Sequence, residues 1–189
     1  KRFGIGVYLY LNEPRSMPLS FFKKFPDMKG TEEGQFASLC TSNPEVRNYL
    51  SDAIASICKT VPDIAGFLTI TASENLTNCW SHGNGNNCPQ CSKRDPPEVI
   101  TEVNKAFFNG IKRAYVNSRE KHIDENAWPR LIVWDWGWKD AWTKKIISKL
   151  PKDVSLMSVS EWGIPIERGG IKSSINEYCL SVIGPGDKA

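Results

Sequence analysis

The sequence predicts an α/β fold: a partial or compact (β/α) barrel of mostly parallel strands, formed as one domain over residues 1–189. Three observations lead there. Four apolar, β-rich runs recur along the chain, helical patterns lie between them, and the runs are continuously hydrophobic rather than alternating. The runs are Ile5 to Leu11, Ile64 to Thr71, Leu131 to Trp136 and Val154 to Ser160. Continuous apolarity suits parallel strands covered on both faces. At 189 residues the chain is shorter than the roughly 250 of a complete eight-stranded barrel.

The intervening segments read as helices. Asn43 is a cap and Pro44 a first helical residue, with Val46, Leu50, Ile54 and Ile57/Cys58 after them on one face. Asp95-Pro96-Pro97 opens a second helix with an apolar stripe of Val99, Ile100, Val103, Phe107, Ile111 and Tyr115. A third spans Ala141 to Leu150, and its Trp142 falls at core spacing with Ile146 and Leu150. A fifth β-like run, Glu177 to Ile183, comes after a polar, Gly-rich gap barely long enough for a helical crossover. It is expected as a hairpin-like excursion or an extended loop rather than a regular barrel strand.

Composition removes some function classes. Lys and Arg exceed Asp and Glu by only 24 to 21, and no basic run is present, so a nucleic-acid partner is not expected. The apolar runs are strand-length, too short for membrane insertion. Lys1-Arg2 leads directly into a strand without an initiating Met, so the chain is expected to be a segment of a longer parent. Seven Trp are more than core packing usually needs.

Each strand run has an acid at or just beyond its end: Asn12-Glu13, Glu74-Asn75, Asp135 within Trp134-Asp135-Trp136-Gly137-Trp138, and Glu161-Trp162. Parallel strands bring their carboxy ends to one face, where α/β enzymes bind ligands. Carboxylic acids in pairs protonate the leaving oxygen of a glycosidic bond and supply the nucleophile or base, while indole faces stack on sugar rings. A single acid after a strand more often caps a helix or faces solvent, so grouping is what must be shown. Glu74 is the expected general acid, with Asp135 or Glu161 as the second carboxylate. Asn12, Glu13 and Asn75 are expected to meet sugar hydroxyls, and Trp80, Trp138 and Trp162 to stack. The expected partner is a carbohydrate substrate, with no organic cofactor.

Six cysteines divide unevenly. Cys40, Cys58 and Cys179 stand alone, whereas Cys79, His82, Cys88 and Cys91 form C-x2-H-x5-C-x2-C in the loop after the second strand. Three thiolates and an imidazole complete a tetrahedral shell for a structural zinc. A disulfide between two of the three, with His82 turned to substrate, or free thiols are the alternatives. Asn75-Leu76-Thr77 also matches a glycosylation sequon, which here reads as a chance match.

The stretches YLYLNEPRSMP, LCTSNPEV, FLTITASENLTNC with CPQC, IVWDWGW, and SVSEWGIPIERGG with SVIGPG together resemble bacterial glycoside-hydrolase-like barrel proteins of polysaccharide-degrading Bacteroidetes and their relatives. These are distantly similar to family 20 hexosaminidase and α-glucuronidase barrels. The resemblance spans nearly the whole chain and implies a TIM-type barrel, a carbohydrate substrate and an exported parent. It matches the Glu of the SEN motif to Glu74 and the acid of WDWGW to Asp135. Family 20 hexosaminidases carry an adjacent Asp-Glu pair. Ser73 precedes Glu74 here, so their substrate-assisted mechanism is not implied.

Overall fold

A computed structural model describes residues 3–116, 128–174 and 178–185. The elements are β1 (Tyr8–Leu11), β2 (Met17–Pro18), β3 (Lys29–Glu33), β4 (Phe36–Leu39), α1 (Pro44–Thr60), β5 (Gly66–Ile70), α2 (Pro96–Val116), β6 (Arg130–Trp134), α3 (Asp140–Lys149), β7 (Ser155–Trp162), β8 (Pro165–Arg168), β9 (Ile171–Ser174) and β10 (Tyr178–Ile183). The main sheet has the order β1-β5-β6-β7-β10. Its first four strands are parallel, and β10 runs antiparallel beside β7, as expected for a returning excursion. Among the described residues the fold is therefore mixed α/β with a mostly parallel five-stranded sheet and three α-helices.

The two longer helices form for legible reasons. The Asn43 side chain accepts the Glu45 N–H at 2.8 Å and caps α1. Val46, Leu50, Ile54 and Cys58 form the buried stripe of α1, and Val99, Ile100, Val103, Phe107 and Ile111 that of α2. Burial pushes the Cys58 thiol up to about 11, as suits a small apolar residue. Strand register lines up Phe67 with Leu131, and Thr69 with Val133 and Leu156, as rows beneath these helices. Burying each large side chain there contributes about 1.5–3 kcal/mol. A buried polar link ties α2 to β5: Thr69 Oγ1 donates to Asn104 Oδ1 at 2.9 Å, and Asn104 Nδ2 donates to Thr71 Oγ1 at 3.2 Å.

Among the described residues the second face of the sheet is covered only in part, over Ile70 and Trp134. Strands taken in sequential order with right-handed crossovers place all their helices on one side. The opposite face carries Tyr10, Leu68, Ile132, Met157 and Val182, with Tyr10 48% and Val182 52% exposed. Continuous apolarity in the sequence thus marks a two-sided apolar sheet without showing what lies on its second side.

Two pieces leave no apolar run in the sequence because strands such as β3 (KGTEE), β8 (PIER) and β9 (IKSS) are largely polar or exposed. The antiparallel sheet β2-β4-β3 fills the segment after β1 and has its own small core of Phe22, Ala37, Leu39 and Val46. The exposed hairpin β8-β9 joins β7 to β10. Among the described residues, no helix is long and apolar enough to cross a membrane.

Candidate metal centre and strand-end carboxylates

The loop after β5 runs from Thr71 to Asp95 and is ordered by its own polar side chains. The Thr71 carbonyl accepts from Thr77 Oγ1 at 2.8 Å and from the Asn78 amide, while Asn78 Oδ1 accepts the Trp80 N–H at 2.8 Å. This folds the chain so that Cys79, Cys88 and Cys91 turn inward. The fourth member of the cluster is Cys40, the residue immediately after β4.

All four side chains are buried, and their sulfurs lie within 4.8 Å of one another. Cys40 Sγ is 3.6 Å from both Cys88 Sγ and Cys91 Sγ. A tetrahedron with about 2.3 Å metal–sulfur bonds has edges of about 3.8 Å, so the spacing fits a four-thiolate site. These cysteines are free thiols, and a disulfide would need about 2.05 Å. The four cysteines could therefore hold a metal ion.

The thiols are bonded to one another, which splits their acidities. Cys40 and Cys88 are lowered by hydrogen bonds from neighbouring thiols, and Cys79 and Cys91 are raised by the Cys40 sulfur they serve. All four can ionise together only when a bound cation balances them.

Gly30 makes room for this arrangement, since a Cβ there would come within 2.6 Å of Cys79 Sγ and collide with Ser38 Oγ. Gly30→Ala is expected to lower metal retention and melting temperature together, checked by metal content and thermal denaturation.

His82 stands outside the cluster, which corrects the expected Cys79, His82, Cys88, Cys91 set. Its Nδ1 lies 2.8 Å from Glu33 Oε2 and its Nε2 lies 2.9 Å from the Ser73 carbonyl oxygen. It thus joins β3 to the residue before Glu74. The C-x2-H spacing looked complete because it offered a local fourth ligand. Cys40, a single cysteine far away in sequence, gave no spacing signal.

The strand-end acids divide by their surroundings. Glu13, after β1, accepts the Arg15 N–H at 2.8 Å and pairs with Arg15 Nε at 3.5 Å. Arg15 Nη1 also donates to Asn75 Oδ1 at 2.6 Å, so this arginine, which carries no signal in the sequence, links the ends of β1 and β5. The Glu13–Pro14 peptide is cis. Glu74 is exposed and accepts from Ser73 Oγ and, at 2.9 Å, from Trp136 Nε1. Those donors lower its pKa and keep it ionised. Such a setting is the reverse of a proton donor's and speaks against the general-acid role expected of Glu74.

Asp135 is half-buried, and burial raises its pKa while a 2.6 Å hydrogen bond from Ser158 Oγ opposes the rise. Its backbone N–H continues the ladder to the Met157 carbonyl. Among the described residues, neither Glu74 nor Asp135 forms an ion pair with Lys or Arg. Gly137, at φ 78°, lets the turn after β6 lie against Ala72 and Ser73, where a Cβ would strike the Ala72 carbonyl. That approach brings Trp136 to Glu74.

The aromatic expectations change most. Trp80 is 7% exposed, covered by Gly85 and set edge-on to Trp142 at 6.1 Å. Trp138 is also 7% exposed. Both are core residues with no face left for a sugar. Trp136 is the half-buried indole beside a carboxylate, its ring 5.5 Å from that of Trp134. Asn12 is buried after β1, its Nδ2 donating to the Tyr10 hydroxyl at 3.1 Å and its Oδ1 without a hydrogen-bond partner. The side chains of Glu161 and Trp162 lie outside the described ones, although β7 carries their backbone.

No protein-family model, curated protein or solved structure matches the chain.

Proposed function

We propose that this chain hydrolyses glycosidic bonds in an oligo- or polysaccharide, with Glu74 as the ionised carboxylate, Asp135 as the proton donor and Trp136 as the sugar-facing indole. The observation that supports this most is the unlike setting of two carboxyl groups at the ends of the neighbouring parallel strands β5 and β6. One is held ionised in the open by two donors, and the other is partly sunk beside a single hydroxyl. Environments that push paired acids apart assign the acid and the base. In this chemistry the acid gives its proton to the leaving oxygen, and the carboxylate attacks the anomeric carbon or deprotonates the attacking water.

In this reading the sheet is a segment of a (β/α) barrel, and Cys40, Cys79, Cys88 and Cys91 hold a structural zinc. Four thiolates leave no open coordination position. The metal's contribution is to fix the loop that begins at Thr71 and carries Glu74.

Asp135→Asn tests the proton donor. Activated aryl glycosides leave without protonation, so their cleavage is expected to stay near wild type, while polysaccharide cleavage falls about 10²–10⁴-fold. The wild-type rate should decline as pH rises through the raised Asp135 value, and that alkaline limb should vanish in the variant. Stability has the same sign. A raised folded pKa favours the native state below the unfolded value, and this contribution is lost as pH rises through the folded value. Asp135→Asn should therefore melt with wild type in acid and above it near neutrality. Equal losses on both substrate types would remove the proton-donor role.

A second reading is a carbohydrate-binding unit without turnover. It is favoured by the different company the two acids keep: Glu74 bonds with Trp136, and Asp135 with Ser158 on β7. Glycan retention that depends on Trp136, with no bond cleaved, would select it.

A further inference from the structure

We propose that Ser42, backed by Arg94, and Ser38 form the polar shell that lets the four-cysteine cage keep a divalent metal as a buried anion, with Ser42 and Arg94 setting how slowly the metal leaves. The proposal rests on the reading of that cage as a metal site. Four thiolates around a divalent cation leave two net negative charges, and burying them is costly unless donors and cations compensate.

Two hydroxyls are arranged for this in the same way. Ser42 Oγ lies 3.1 Å from Cys91 Sγ and accepts from Arg94 Nη1 at 2.8 Å. A guanidinium only donates, and a serine hydroxyl has one hydrogen. With a lone pair taken by Arg94, the Ser42 hydrogen is left to point at the sulfur. Ser38 repeats the pattern on the other side of the cage. Its Oγ accepts the Thr31 N–H at 3.0 Å and lies 3.5 Å from Cys79 Sγ.

The charge behind Ser42 is fixed in place. Arg94 donates twice to Glu102 of α2, at 2.6 and 2.9 Å. Arg47 lies 3.7 Å from the same carboxylate and donates to the Thr41 and Ser42 carbonyls at 2.6 and 2.9 Å. Two guanidiniums share one carboxylate, which leaves one positive charge on the Cys91 side of the cage. Arg94 is shifted upward chiefly by Glu102 and stays charged.

The test is metal release from the zinc-loaded full chain to an excess of a chromogenic chelator. Ser42→Ala and Arg94→Gln should each release zinc about tenfold faster or more, the range seen when partners of metal ligands are removed. Glu102→Gln keeps both cations and leaves Arg94 an amide oxygen to bond, so its release should stay closer to wild type than that of Arg94→Gln. In the cobalt-loaded protein, Ser42→Ala should move the sulfur-to-metal charge-transfer band to longer wavelength, because an unbonded thiolate donates more readily. A purely structural role for these residues predicts lower melting temperatures with unchanged release and an unmoved band, and that result would overturn the proposal. A wild-type chain that neither carries nor takes up metal would instead refute the cage reading and this inference with it.

Discussion

Cys88→Ser is expected to abolish stoichiometric metal binding and to lower the melting temperature by about 8–16 °C. Cys88 is fully buried in the cage, and serine would replace its thiolate with a hydroxyl that stays protonated. The cage joins Cys40, at the end of β4, to Cys79, Cys88 and Cys91 in the loop after β5. The small sheet β2-β4-β3 packs on Phe22, Ala37, Leu39 and Val46 of α1, and the cage adds a second tie from β4 to the loop after β5. Metal binding that requires the folded cage adds to folding free energy. A loss of about 4 kcal/mol converts to the stated shift at about 2–4 °C per kcal/mol for a chain of this size. Thermal denaturation with and without chelator checks it. Chelated wild type should melt with Cys88→Ser, and chelator should not affect the variant. A variant that melts with metal-loaded wild type would show the cage to be four ordinary buried thiols.

Glu74→Gln is expected to lower glycan turnover by about 10²–10⁴-fold while leaving the melting temperature unchanged. The side chain is exposed, so no core contact is lost. The glutamine carbonyl can still accept the Trp136 N–H that Glu74 accepts at 2.9 Å. What disappears is the negative charge to which the proposed hydrolysis assigns attack or water activation. Steady-state kinetics beside a thermal melt separates the two effects. A fall in soluble protein, or a rise in KM at constant kcat, would give Glu74 a structural or binding role instead.

The sequence made the sheet and its three helices legible because they depend on local signals. Asn43-Pro44 and Asp95-Pro96-Pro97 mark helix starts, and the apolar stripes of α1 and α2 keep helical spacing. The positions of Glu74 and Asp135 were legible for a related reason: a strand end is located once the strand is found. Their roles were not. The roles proposed for Glu74 and Asp135 rest on Trp136 Nε1 and Ser158 Oγ, contacts made across loops and strands.

Chain distance hid Cys40 from the metal set, because His82 supplied a nearer and equally plausible ligand. It also hid Arg15, whose link between Glu13 and Asn75 exists only once β1 and β5 are paired. Trp80 and Trp138 misled because an indole beside a strand end has the same sequence signature whether it faces a sugar or the core. Gly85 over Trp80 is the packing detail that decides it.

Whether the paired acids cut sugar chains is decided by the release of reducing ends from a panel of soluble polysaccharides, with the metal-loaded chain run beside Glu74→Gln. Wild type is expected to cut at least one polysaccharide, and the cut should disappear in Glu74→Gln while Trp136-dependent retention persists. A panel left intact by wild type, or one cut equally fast by Glu74→Gln, would refute hydrolysis by this pair.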